Sequence, residues 1–354
     1  MNYKISFCTV CMNRLQHLKQ TLLKNIQDNR TYENLEFVVL DYNSDDGLKE
    51  WIMDEMATLI ESGKVAYYRT EEPKYFDRSH SRNIMFKLAT GEIICNIDAD
   101  NFTGEGFAHY INEEFNKNSN IVIVPDTKKI FYYKRDVLGR FCALKEDFFK
   151  ISGYDETMSG YGFEDDDLYQ RFFQLNREEV VIKNKEFLQA IQHDDSERIK
   201  NEFNSNNLHS AYINYLSPDK SDIILLYNNF SFEKGSIIPN HLNTPSPFLI
   251  ENYKWEEGIW REEGTNLHLK NIVNNSEINL HRVGSDDQIA YEYNNNKYYH
   301  VSHKGLTEYL SSKLSLIKNQ GQYLFNQIHR TKINPSGYGK SKIYSGLEAL
   351  ANSY

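Results

Sequence analysis

The chain has 354 residues, 40% of them hydrophobic and 14% aromatic, which is enough apolar material for two domains or one large one and excludes a disordered polymer. Its formal net charge of −10 argues against nonspecific nucleic-acid binding, which needs basic surface to displace counterions. No run approaches the roughly 18 apolar residues of a membrane span, and the 25 tyrosines accompany a general excess of Asn, Lys and Ile.

From residue 3 to about 125, near-continuous apolar runs alternate with helical spacing. "YKISFCTV" reads as a first strand that leaves no room for a signal peptide, and "RLQHLKQTLLKNI" as a first helix. "LEFVVLDY" and "KVAYYRT" read as strands on either side of "GLKEWIMDEMATLIESG", a second helix. "RSHSRNIMFKLA" is a further helix, and "GEIICNIDAD" a strand that ends in carboxylates. Strands of this kind between helices predict a parallel sheet covered on both faces, with ligands at the carboxyl ends of the strands. The polar clusters fall at those ends: Asn13-Arg14, Asp41 to Ser44, and Asp98-Ala99-Asp100. Beyond "HDDSERIKNEFNSNN" the texture changes to short runs broken by Asn, Gly and Pro over residues 220–300, which predicts an antiparallel β module. "GLTEYLSSKLSLIKNQGQYLFNQIHR" then predicts a helix or helical pair. The expected division is an α/β domain over 1–205 and a smaller β-rich and helical module over 206–354, suited to acceptor recognition or oligomerisation.

The four cysteines point to a reduced, cytoplasmic protein, or one peripheral at the membrane. Cys8 and Cys11 form a CxxC inside a buried strand, where inert thiols are expected; Cys95 and Cys142 stand alone. His300 and His303 have no acidic or cysteine partner at useful spacing and are read as structural.

Two acidic stretches carry chemistry. Asp98 and Asp100, at i and i+2, face the same way from a strand end; they repel one another unless a divalent cation draws them together, and that cation then suits a diphosphate. "GYGFEDDDLYQRF", residues 160–172, holds Glu164, Asp165, Asp166 and Asp167 in succession. A helix start enriched in acids because of its dipole is the plain alternative, with the charges facing water.

Taken together, residues 4–200 resemble GT-A-fold glycosyltransferases of family 2, which use nucleotide sugars. "ISFCTVCMNRLQHLKQTL" resembles that family's opening strand and helix, with Asn13 and Arg14 matching and Val10, Cys11 and Met12 replacing Pro-Thr-Tyr. The resemblance implies nucleotide contacts from Val10, Asn13, Arg14, Asp41, Asn43, Arg78, Arg82 and Asp98, with Asp41 recognising uracil. Asp98-Ala99-Asp100 takes the place of the DxD. "GYGFEDDD" resembles the acidic signature of inverting enzymes and is especially close to the β-1,4-galactosyltransferase pattern. It implies Asp165 as general base, with Tyr161, Glu164 and Asp166 on the acceptor. Asp98, Asp100 and His193 are the implied ligands of Mn²⁺ or Mg²⁺.

The resulting expectation is an inverting transferase moving a hexose or N-acetylhexosamine from a UDP-sugar to a glycan or glycolipid acceptor, in polysaccharide biosynthesis. A silent GT-A-fold glycan-binding scaffold is the alternative. A nucleotidyltransferase is a weaker one, because "CTVCMNRLQH" lacks a phosphate-binding glycine.

Overall fold

The computed structural model describes residues 1–126, 135–193, 195–217, 220–237, 255–285 and 288–345. Contacts divide the chain into two compact units: Met1–Thr157, Glu164–Asp194 and Lys332–Tyr354 form the first, and Met158–Phe163 with Asp195–Thr331 the second. The division is therefore not the single cut expected near residue 205. Residues 158–163 side with the later unit and the C-terminal segment returns to the earlier one.

In the first unit the strands are β1 (Ile5–Cys11), β2 (Leu35–Tyr42), β3 (Val65–Thr70), β4 (Ile93–Asn96), β5 (Asn101–Phe102), β6 (Ile121–Pro125), β7 (Cys142–Leu144), β8 (Glu178–Ile182) and β9 (Gln189–Ala190). The helices are α1 (Leu15–Asp28), α2 (Leu48–Glu55), α3 (Ala57–Glu61), α4 (Arg78–Leu88), α5 (Phe107–Lys117), α6 (Lys145–Lys150) and α7 (Glu164–Gln174). Eight strands form one sheet, in which β3, β2, β1 and β4 run parallel as expected. The sheet as a whole is mixed, because β7 lies antiparallel to both β4 and β6. Its outer edge is closed by Tyr344–Ser345, which pairs antiparallel with β3.

Every residue of β2 is buried, and the strand shows why. Phe37 and Val39 enter one core cluster with Leu18 and Phe107, while Val38 and Leu40 enter the other with Phe86 and Phe141. Period-two alternation thus feeds apolar side chains to both faces, and only a sheet covered on both sides accepts that pattern. The CxxC follows the same rule. Cys8 joins one cluster and Cys11 the other, so the two thiols point to opposite faces and form no dithiol. Burial pushes the pKa of both up, as inert thiols require.

The second unit holds an eight-stranded closed barrel, with strands running from Leu208–Ser217 to Asn296–His300 and each described pairing antiparallel. Tyr212, Phe232, Trp260, Leu267, Leu280, Tyr291 and Tyr298 belong to one buried cluster. An eight-stranded barrel is just wide enough for side chains to fill its centre. One helix, α8 (Lys304–His329), follows in place of the expected helix or helical pair, and His303 caps its start. The β-rich module after an α/β domain is therefore as the sequence predicts, with closure of the barrel as the added feature. No described helix is long and apolar enough to cross a membrane.

Candidate active site

The carboxyl ends of β1, β2, β3 and β4 lie side by side because these strands are parallel neighbours. Asn13 and Asn43, just past β1 and β2, adopt left-handed backbone with φ of 55° and 62°, which asparagine tolerates better than most residues. Asn13 accepts a hydrogen bond from the Asp45 amide at 2.8 Å, and its own amide donates to Ser44 Oγ at 3.1 Å. Asn43 donates to the Pro73 carbonyl at 2.9 Å, and Arg14 lies 3.5 Å from the His17 ring. Val10 is half-buried at the end of β1.

Asp41 is enclosed. Tyr67 donates to Oδ2 at 2.7 Å, the Ser44 amide donates to Oδ1 at 2.8 Å, and the Arg69 guanidinium pairs with Oδ2. Burial pushes its pKa up, and Arg69 opposes that shift without cancelling it. In this structure Asp41 anchors Arg69; a base could meet the carboxylate only after Arg69 turned aside.

The DxD segment follows β4. A ladder of side chains on α1 holds it. Thr21 Oγ1 donates to the Ala99 carbonyl at 2.7 Å, Asn25 Nδ2 to the Asn101 carbonyl at 3.0 Å, and Asn29 Nδ2 to Thr103 Oγ1 at 2.8 Å. β5 and β9 then pair Asn101 with Ala190, which brings the segment bearing His193 alongside.

The two aspartates of the DxD face different partners. Asp100 Oδ2 lies 2.7 Å from His193 Nε2, and Asp136 Oδ1 lies 3.9 Å from the same nitrogen. Asp98 Oδ1 instead accepts from Asn96 at 3.0 Å and from Arg82 Nη2 at 3.2 Å. The structure therefore joins two of the three expected ligands and places Asp98 with Arg82. Among the described residues, no group of three or more His, Cys, Asp and Glu side chains is arranged to hold a metal ion.

Arg82 is the hub of the site. It is buried on α4, and its Nη1 donates to Asp165 Oδ1 at 2.9 Å while Nη2 reaches Asp98. Glu164 lies 3.7 Å from Nη1, and the guanidinium stacks 5.4 Å from the Tyr154 ring. Burial disfavours its charge, but Asp165 and the neighbouring acids outweigh that and hold its pKa up. Tyr154 donates its hydroxyl to Asp165 Oδ1 at 2.8 Å. Both bonds fall on Oδ1, which leaves Oδ2 beside Gly139. A Cβ at Gly139 would stand 2.8 Å from Arg82 Nη2, 3.2 Å from Asp165 Oδ2 and 3.3 Å from Asp98 Oδ2, so glycine lets the backbone approach all three groups where any side chain would crowd them.

The four consecutive acids do not form a solvated helix start. Glu164 and Asp167 are buried, Asp165 is half-buried and only Asp166 is exposed. Asp167 pairs with Arg171 at 2.7 Å and is structural, since Arg171 also donates to the Ile151 carbonyl. Burial, then the charge of Asp165, push the pKa of Glu164 up to about 7 against the opposing pull of Arg78 and Arg82. Tyr161 belongs to the second unit, where its hydroxyl accepts from Arg198 at 2.8 Å and its amide donates to Ser315 Oγ at 2.9 Å.

Sequence reasoning missed Tyr154, Asn96, Gly139 and the α1 ladder. Asn96 sits inside "GEIICNIDAD" without marking itself, and "LLKNIQDNR" shows only asparagines at the end of a helix.

Residues 6–167 match the family model described as Glycosyl transferase family 2. This is the stretch from β1 to the acids of α7 on which the sequence resemblance rests, and a family-2-like glycosyltransferase domain is shown there. No curated protein matches the sequence. Among solved structures, the chain is similar to the mannosyltransferase PcManGT from Pyrobaculum calidifontis in complex with GDP-Man and Mn²⁺, at 16% identity and a TM-score of 0.42, over 51% of this chain and 55% of that one. S. aureus TarS 1-349 in complex with UDP-GlcNAc gives 13% identity and 0.42, over 54% and 59%. GalNAc-T7 with UDP, GalNAc and Mn²⁺ gives 14% identity and 0.41, over 84% and 71%. The chain spans little more than half the length of the first two.

Proposed function

We propose that this chain is an inverting, metal-dependent glycosyltransferase that moves a hexose or N-acetylhexosamine from a UDP-sugar to a glycan, glycolipid or other hydroxyl acceptor. One observation carries the reading: a single buried guanidinium, Arg82, ties Asp98 of the DxD to Asp165 of the acidic helix. The donor-side acid and the candidate base thus meet beside the Gly139 backbone.

In this reading Asp165 accepts the acceptor's hydroxyl proton at Oδ2 as the oxygen attacks the anomeric carbon opposite the leaving diphosphate. A base so placed contributes about two to four powers of ten in rate. Oδ1 stays bound to Arg82 and Tyr154, which fix the plane of the carboxylate. Glu164, Asp166 and Tyr161 bind acceptor hydroxyls and present an aromatic face. Val10, Asn13, Arg14, Asn43 and Arg78 contact the nucleotide at the strand ends, with Asp41 reaching the base once Arg69 moves.

The donor set suits Mn²⁺, since carboxylate oxygen with imidazole nitrogen matches its preference. Asp100 and His193 would hold it, joined by Asp98 when Arg82 releases that side chain. Bound there, the ion supplies positive charge against the leaving diphosphate. The reading places the protein in polysaccharide assembly in the cytoplasm or at its membrane surface.

The test is a panel of nucleotide sugars incubated with the protein and Mn²⁺, with release of the nucleoside diphosphate measured. Slow hydrolysis of one UDP-sugar supports the proposal without an identified acceptor. No release from any of the panel counts against it.

A further inference from the structure

The last described stretch of the chain lies far from the acidic motifs in sequence, yet it grips the turn that carries Tyr154. Asn334 Nδ2 donates to the Ser152 carbonyl at 2.8 Å and to the Tyr154 carbonyl at 2.7 Å, and its Oδ1 accepts from the Glu156 amide at 3.2 Å. From the other side, Asn83 on α4 donates to the Tyr154 carbonyl at 2.9 Å and accepts from the Tyr154 amide at 2.8 Å. Both backbone polar groups of Tyr154 are thus fixed by asparagine side chains. The turn closes the end of α6, with left-handed backbone at Ser152 (φ 63°) and Gly153 (φ 68°). A Cβ at Gly153 would stand 2.4 Å from Asn83 Oδ1 and 2.9 Å from the Tyr338 ring, so the turn admits only glycine there.

The rest of the segment ties down the same region. The Gly339 amide donates to Glu156 Oε1 at 2.6 Å, and that oxygen also receives Asn83 Nδ2 at 2.9 Å. The Tyr338 ring meets Phe148 at 6.5 Å and sits beneath the Lys87 ammonium at 4.2 Å. Ser341 and the Lys342 amide both donate to Glu72, and Tyr344–Ser345 completes the sheet edge on β3.

We infer that Asn334 is a positioning residue for the candidate base: it holds the Ser152–Glu156 turn so that the Tyr154 hydroxyl meets Asp165. This inference rests on the proposed role of Asp165. The Ser152 and Gly153 amides bond back to the Phe149 and Phe148 carbonyls, and Asn334 adds three hydrogen bonds to groups those local bonds leave open, the Ser152 and Tyr154 carbonyls and the Glu156 amide. With Asn334 in place the Tyr154 backbone is held by side chains from both sides; without it Asn83 is the asparagine that remains on Tyr154.

The experiment reads the carboxyl carbon of Asp165 by ¹³C NMR at fixed pH in the full-length protein labelled with ¹³C-aspartate, the resonance assigned through Asp165→Asn. Tyr154→Phe removes the hydroxyl and moves the resonance. Asn334→Ala is expected to move it in the same sense, and the double variant to move it no further than Tyr154→Phe alone. The same three variants are assayed for diphosphate release, where Asn334→Ala is expected to lower turnover about two- to tenfold without change in donor KM. An unmoved resonance in Asn334→Ala, or additive effects in the double variant, overturns the inference. If Asn334→Ala does not fold, Asn334→Asp carries the same test, since it keeps the acceptor for the Glu156 amide and loses both donated bonds. A wild-type protein that hydrolyses no donor removes the proposed function and leaves the NMR comparison standing.

Discussion

Asp98 and Asp165, distant in sequence, are held by the two terminal nitrogens of one guanidinium, at 3.2 and 2.9 Å from Arg82. The two half-buried carboxylates compensate the buried guanidinium, and removing Arg82 would leave both without their shared cation. The arrangement also sets a distance. The Gly139 backbone approaches both carboxylates and the guanidinium closely enough that a side chain there would touch all three.

Gly139→Ala is therefore expected to fold and to lose activity. The added methyl would meet Arg82 Nη2 at 2.8 Å, so the guanidinium must give way and disturb its bonds to Asp98 and Asp165 while the backbone stays in place. Thermal unfolding should shift little, whereas donor hydrolysis should fall about a hundredfold, the cost of a misplacement of about 1 Å. A variant of normal activity would show that the close approach of Gly139 to Arg82 and the two carboxylates is not needed.

Asp100→Asn and His193→Ala should each weaken Mn²⁺-dependent binding of UDP, because each removes one donor from the pair 2.7 Å apart. Titration calorimetry with and without Mn²⁺ reads this directly. UDP affinity in the absence of metal should be the same in both variants and the wild type. Unchanged metal-dependent affinity in both variants would place the ion elsewhere.

Glu164 gives the stability a signature in pH. Its folded pKa, pushed up by burial and by the charge of Asp165 to about 7, stands above the ordinary value of 4.5. Between those values the folded protein binds more protons than the unfolded chain, so this residue's contribution to stability falls as pH rises through the window. Glu164→Gln keeps a neutral side chain throughout. The melting temperature of the variant relative to wild type should rise from pH 4.5 to 7 and level off above; a flat difference would mean that Glu164 is ionised in the fold.

Much of this was legible in the sequence, and the limits have physical causes. The strands of the α/β sheet show because continuous burial writes itself as apolar runs, as in "LEFVVLDY". The direction of β7 does not show, since an antiparallel strand of three residues has the same composition as a parallel one. Asp98, Asp100, Asp165 and His193 stand out through position and clustering. The resemblance makes Arg82 a nucleotide contact, and its bridging role depends on a meeting of α4 with α7 that no local pattern records. Tyr154 and Asn334 are single polar residues whose partners lie across the chain, and such residues leave no periodicity to read. The plain reading of the acidic run failed for an energetic reason: Glu164 and Asp167 have Arg78, Arg82 and Arg171 as partners, so they need not face water.

The most direct measurement is the effect of Asp165→Asn on transfer and on UDP binding, taken together. Asparagine keeps the shape and can still accept from Arg82 and Tyr154, but it cannot take a proton from the acceptor. The account predicts a fall in turnover of about two to four powers of ten with UDP and Mn²⁺ affinity unchanged. Turnover within about threefold of wild type, or a loss of UDP affinity as large as the loss of rate, would contradict it and leave Asp165 as a structural partner of Arg82.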